Sequence, residues 1–140
     1  MFLGRDVLLD AGPIIALLDR RDQWHDRAAA AWPALARRCV TVEAAIVEAT
    51  HIVAKRRTDH ALVLELLISH EIPILAPHLI LHETCVHLIR RYADAPMDYA
   101  DASLDALAGR LGIHRVFTFD RRGFREYRAA HGRAFDIIPA

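Results

Sequence analysis

Five short, β-rich apolar runs recur along the chain, and the first four are each followed by a longer stretch with helical spacing. The runs are "DVLL" at 6–9, "CVTV" at 39–42, "IPILA" at 72–76, "HRVFTFD" at 114–120 and "AFDIIPA" at 134–140. After the first comes "GPIIALLDRRDQWHDRAAAAWPALARR", read as two helices around a polar break at Asp19 to Asp22, the second carrying Trp24, Ala28 and Trp32, with Pro33 near its end. "EAAIVEATHIVAKRR" and "DHALVLELLISH" read as helices joined near Thr58, and "HLILHETCVHLIRRYAD" as another. Pro96 separates that helix from "DYADASLDALAGRLG", which reads as an amphipathic helix stopped by Gly112. "RRGFREYRAAHG" reads as a short helix. Such alternation predicts an α/β fold: a central, mostly parallel sheet with helices on both faces. At 140 residues the expectation is one domain, 1–140, with one proper core.

Lys plus Arg equals Asp plus Glu, 18 of each, so no whole-molecule field draws the chain toward nucleic acid, and any such binding must be local. Arginine doublets recur at Arg20-Arg21, Arg37-Arg38, Arg56-Arg57, Arg90-Arg91 and Arg121-Arg122, a pattern that solvated faces and helix-end dipole complements also produce. Cys39 and Cys85 lie far apart in apolar settings, which suits reduced, buried thiols better than a disulfide or zinc framework. Arg5 and Asp6 interrupt what would be a signal core, and no apolar run reaches the ~20 residues that cross a bilayer. The expectation is a cytoplasmic protein without membrane attachment.

Open α/β sheets place their sites at the carboxyl ends of strands, and Asp10 and Asp120 both fall at such ends. Each also fits a plain helix N-cap. Glu48 sits mid-helix between Val47 and Ala49, beyond reach of the helix-start dipole that accounts for Glu43. Five residues apart, these two glutamates point about 140° from one another around a helix, so Glu48 is the better candidate ligand. Asp98 and Asp101, three apart, share one side of a helix start, and either could cap it; Asp105 reads as surface charge. Asp10, Glu48, Asp101 and Asp120, with Asp98 in reserve, thus form a candidate carboxylate cluster. Such a cluster repels itself unless a divalent cation fills the gap, and all-oxygen donors select Mg2+ or Mn2+ over zinc. The chemistry indicated is phosphoryl transfer to a metal-activated water.

Two histidine patterns carry less. "HETCVH" sets His82 and His87 five apart, about 140° around a helix, so they cannot share a zinc ion as a protease motif requires. Glu48 and His51 have a di-iron spacing, but in one copy and without a four-helix pattern.

Taken together, "LLDAGPIIALLDRRDQWHDRA", "VEAAIVEATHIV", "YADASLDALAGRLGIHRVFTFDRRGF" and the terminal "TFDRRGF" resemble the PIN domain family of metal-dependent ribonucleases, and within it the VapC toxins. The resemblance covers nearly the whole chain. It implies Asp10, Glu48, Asp101 and Asp120 as a four-acid pocket for one or two Mg2+ or Mn2+ ions, and it singles out Thr118. "DASL" fits the family block better from Asp101 than from Asp98. It further implies cleavage of RNA to a 3′-hydroxyl and a 5′-phosphate, a homodimer, and an antitoxin partner whose peptide blocks the pocket, often with an arginine. Many relatives carry Thr or Ser where this chain has Ala11, so a supporting hydroxyl is missing there, which implies either weaker metal affinity or compensation by Thr118.

The expected function is therefore a Mg2+-dependent endoribonuclease acting as the toxin of a two-component module. The alternatives are a metal-dependent phosphatase using an aspartyl nucleophile, for which Lys55 is the only lysine at hand, and a non-catalytic RNA-binding module of the same fold. The apolar residues of "HALVLELLISH" and "HLILHETCVHLI" exceed what one helix face needs, which suits either a generous core or surfaces for a second copy and an antitoxin segment.

Overall fold

The computed structural model describes residues 4–75 and 79–140. The chain runs β1 (Val7–Leu9), α1 (Ala11–Leu18), α2 (His25–Leu35), a 3-10 turn (Ala36–Arg38) and β2 (Cys39–Val42). It continues through α3 (Glu43–Lys55), α4 (Ala61–Ser69), β3 (Ile74–Leu75), α5 (Leu79–Arg91) and α6 (Tyr99–Leu111). Last come β4 (Arg115–Phe117), α7 (Arg121–Glu126) and β5 (Asp136–Ile138). Ala76, expected to end the third strand, and His78, expected to open the next helix, lie outside the described residues.

The five strands form one parallel sheet in the order β3-β2-β1-β4-β5. β1 is central: Val7 pairs with Cys39 on one side and Arg115 on the other. Its three residues are fully buried, the continuous apolar run that a strand covered on both faces requires. From β1 the chain steps outward to β2 and β3, then returns to pair β4 against the other side of β1. The strand order therefore reverses between β1 and β4, and the crevice at their carboxyl ends is the switch point where open sheets bind ligands.

Local chemistry sets the element boundaries. α1 ends at the polar break, where Arg56 from the end of α3 pairs with Asp19 at 3.0 Å and Asp22 at 2.7 Å. α2 runs only two residues past Pro33, whose ring removes a helical donor. β4 is shorter than its apolar run: pairing stops at Phe117, because Thr118 and Asp120 turn the chain into α7 with their own hydrogen bonds. α7 stops at Glu126, since Tyr127 is already extended. α6 ends on Gly112, whose φ of 70° is the left-handed cap conformation.

α6 departs from expectation. It is buried around nearly its whole circumference from Ala100 to Ala108, because α5 covers the side that would otherwise face water. Asp105 is consequently no surface charge: it is 1% exposed. Both cysteines are buried and free, and burial pushes the Cys39 thiol up to about 12.

Candidate active site

Asp10 follows the last residue of β1 and N-caps α1. One carboxylate oxygen accepts from the Ala11 N–H at 2.8 Å, and the other accepts from the Thr118 hydroxyl at 2.7 Å. Thr118 in turn accepts from the Asp120 N–H at 2.9 Å, so one hydroxyl ties the ends of β1 and β4 together across the switch point. Thr118, just past the end of β4, is fully buried.

Asp98 N-caps α6 by accepting from the Asp101 N–H at 2.8 Å, which leaves Asp101 one turn inside the helix and 9% exposed. Asp120 N-caps α7 and is exposed, and Glu48 is half-buried on α3. Glu43 is exposed and, like Glu48, lines the cleft between α3 and the start of α6, although the helical angle between the two led to the expectation that only one of them faces the site.

Electrostatics identify these acids as one group. Burial raises the Asp10 carboxyl above the usual carboxylate range against the Thr118 and Ala11 hydrogen bonds, and the charges of Asp120 and Asp98 push the same way. Asp101 is held far above that range, by burial first and then by Asp98, Asp10 and Asp120. Glu48 is raised by burial and by Asp10, Asp98 and Asp120. None of the ion pairs among the described residues involves these acids. The donor set is thus all carboxylate, self-repelling and without a protein counter-charge, the chemistry that a hard divalent ion relieves. The acids stand somewhat apart: among the described residues, no three His, Cys, Asp or Glu side chains are gathered closely enough to hold an ion as they are.

Tyr127 is a neighbour that sequence reasoning missed. Its buried hydroxyl donates to the Pro96 carbonyl at 3.0 Å and lies 3.5 Å from an Asp101 carboxylate oxygen. Burial and the charges of Asp101, Asp120 and Asp98 push the phenol well above its ordinary value. Gly123 makes room for it, since a Cβ there would sit 2.8 Å from the Tyr127 hydroxyl. No local motif signals this contact, because it depends on the chain turning extended just after α7.

Two clefts flank the acids. One of about 330 Å³ is bounded by Asp94, Pro96, Asp120, Arg122 and Tyr127. The other, about 640 Å³, lies between α3 and the start of α6, with Val47, Glu48, His51, Asp98 and Tyr99 on its walls. His82 and His87 do not join the acids; His82 instead shares a hydrogen bond of 2.8 Å with the Tyr99 hydroxyl.

Known structures share this architecture. VapC20 of Mycobacterium tuberculosis, described as a toxin that cleaves the sarcin–ricin loop, superposes with a TM-score of 0.76 at 18% identity, over 82% of this chain and 90% of that one. The Pyrobaculum aerophilum protein PAE2754 superposes with a TM-score of 0.61, also at 18% identity, over 96% and 91%. No curated protein matches by sequence. The sequence profile of the PIN domain matches residues 7–130, nearly the whole span from β1 to beyond α7, and the chain belongs to the PIN domain family.

Proposed function

We propose that the chain is a divalent-metal-dependent endoribonuclease and, in the cytoplasm, the toxin of a toxin–antitoxin pair. The observation that carries this reading is the set of mutually repelling carboxylates at the β1/β4 switch point, with Asp101 raised by burial and by its acidic neighbours. Asp10, Glu48, Asp101 and Asp120 would hold Mg2+, or Mn2+ in its place. When bound, such an ion activates water and offsets charge on a scissile phosphate. The chain's own residues orient the donors: Thr118 and Ala11 fix the Asp10 carboxylate, and the Asp98 cap fixes the start of α6 beneath Asp101. The clefts on either side give a strand room to pass over the acids, with Arg122 beside Asp120 to meet a phosphate.

Membership of the PIN family and the likeness to a VapC toxin support the ribonuclease reading. A phosphatase mechanism is less well served, because Asp10 is 7% exposed with both oxygens engaged, and Lys55 lies at the far end of α3. Exposed apolar side chains on α4 (Leu64, Ile68) suit an antitoxin helix, and those on α3 and α5 (Val47, Val86, Ile89) suit a second copy. No helix among the described residues is long and apolar enough to cross a membrane. The test is to incubate the purified chain, free of any partner, with total RNA and Mg2+ and to sequence the new 5′ ends. Discrete 5′-phosphate ends that vanish with chelator are expected; intact RNA under these conditions leaves the non-catalytic binding module.

A further inference from the structure

A seam leads away from the acid edge between the chain segments 91–96 and 122–130. The cleft of about 330 Å³ beside Asp120 opens between Asp94, Pro96, Arg122 and Tyr127. Farther along, the same two segments meet α5 and α6 around a cavity of about 420 Å³ that Arg91, Arg110, Arg128 and Ala129 help to line. Packed rings join the two openings. The Tyr127 and Tyr92 rings meet edge to face at 5.1 Å, the Arg128 N–H donates to the Tyr92 hydroxyl at 2.8 Å, and the Arg91 guanidinium rests over the Tyr92 ring at 5.5 Å. From Asp101 to Arg110 the α6 axis runs about 13 Å, so the far opening lies a few nucleotides from the acids.

The charge along this seam is one-sided. Arg91, Arg110 and Arg122 are exposed, and none of the ion pairs among the described residues uses them or Arg128. Arg128 is held in place, its Nη1 donating to the carbonyls of Arg125 at 2.9 Å and Tyr127 at 2.7 Å. Besides Asp120, the acids on the near cleft are Asp94 and Glu126. Asp105 borders the far cavity, but both its carboxylate oxygens are sealed from solvent, so a ligand there meets guanidinium groups and the apolar walls of Leu81, Leu88 and Ala106. In a chain whose charges balance overall, four guanidinium groups without acidic partners on one track make a local path for an anion. A lone phosphate would satisfy the arginines and leave the apolar walls empty. A single-stranded RNA satisfies both, because its phosphates recur along the track while its flat bases lie against apolar walls, aromatic rings and guanidinium planes.

We propose that this seam is an RNA-binding track, which carries the strand flanking the cleavage point from the acid edge to the cavity between α5 and α6. The choice of RNA as occupant rests on the ribonuclease reading. Arg91 and Arg110 hold the flank at the far end and take no part in the chemistry.

Fluorescence anisotropy on the full chain in excess EDTA, with a labelled single-stranded RNA of about 12 nucleotides, tests it apart from cleavage. Arg91→Ala combined with Arg110→Ala should weaken binding about tenfold at low salt and lower the salt slope by about 1.4, at ~0.7 per phosphate contact on a single strand. Arg20→Ala combined with Arg37→Ala removes the same charge from exposed positions elsewhere and should change neither value. Asp101→Asn should bind the RNA at least as tightly as the native chain. With Mg2+ present, the preference in kcat/KM for this RNA over one of about 4 nucleotides should fall in the Arg91 and Arg110 double variant. RNA binding that depends on Arg91 and Arg110 without any cleavage would sink the nuclease reading and leave the track standing. Equal weakening by the two double variants, or a native salt slope after loss of Arg91 and Arg110, would overturn the proposal. Poly-glutamate displacing the RNA at equal charge concentration would also overturn it, in favour of an acidic polypeptide as the occupant.

Discussion

The Asp10 carboxylate is held from two sides, by the Ala11 N–H at 2.8 Å and by the Thr118 hydroxyl at 2.7 Å. Capping and ligand duty are therefore compatible: the helix start aims the acid, and Thr118 at the end of β4 supports it. The Thr118 hydrogen bond lowers a carboxyl that burial raises, so its loss must raise that carboxyl further. Thr118→Val should cut RNA cleavage by about 10- to 100-fold. It should also move the rise of activity to higher pH, because the ionised carboxylate then forms later; Thr118→Ser should restore both. A pH–rate profile of the three proteins checks this. Likewise Glu48→Gln should cost far more activity than Glu43→Gln, because Glu48 lies within the field of Asp10, Asp98 and Asp120 and Glu43 sits about 140° away around α3. Equal losses would mean that Glu43 also reaches the site. The helical angle between these glutamates was legible from spacing alone, as was the edge position of Asp10 and Asp120. Tyr127 was not legible, because its place beside Asp101 comes from a turn that no motif marks.

At the scale of elements, the strands announced themselves as apolar runs, and the helices as periodic stretches with recognisable stops such as Gly112. Strand lengths were less legible, since side-chain hydrogen bonds at Thr118 and Asp120 peel the end of the fourth apolar run into a turn. The environment of α6 was least legible, because its burial is imposed by α5, a helix from another stretch of sequence. Asp105 shows the consequence. Its carboxyl is raised to about 7 by burial, so between the ordinary carboxylate range and about pH 7 the unfolded chain ionises there while the folded chain does not. Stability is lost across that window and stays low above it. Asp105→Asn should therefore raise the melting temperature at about pH 8 and change it little near pH 4. The charged groups acting on Asp105 and Cys85 from α5 and α6 are Arg91 and Asp105 itself, so the effect should isolate this one carboxyl. Equal melting temperatures at high pH would mean that Asp105 is hydrated or paired in solution.

For the whole molecule, balanced charge leaves recognition to local features, and the return of β4 to the far side of β1 gathers acids from four separated stretches of chain at one edge. Burial and mutual repulsion raise Asp10, Glu48 and Asp101, so without metal the fold loses stability as pH climbs through those raised values. Mn2+ should accordingly raise the melting temperature more at about pH 8 than at about pH 5, and Asp101→Asn should flatten the difference. Exposed Val47, Val86 and Ile89 lead us to expect a dimer by light scattering at micromolar concentration; a clean monomer would remove that assembly. The most direct measurement is cleavage of a labelled RNA at saturating Mg2+ by the native chain, Asp10→Asn and Asp101→Asn side by side, with folding of each confirmed by its melting temperature. Cleavage by the native chain and loss of it in both folded variants is the predicted result, and either variant cutting at the native rate would contradict the assignment of the carboxylate edge as the nuclease centre.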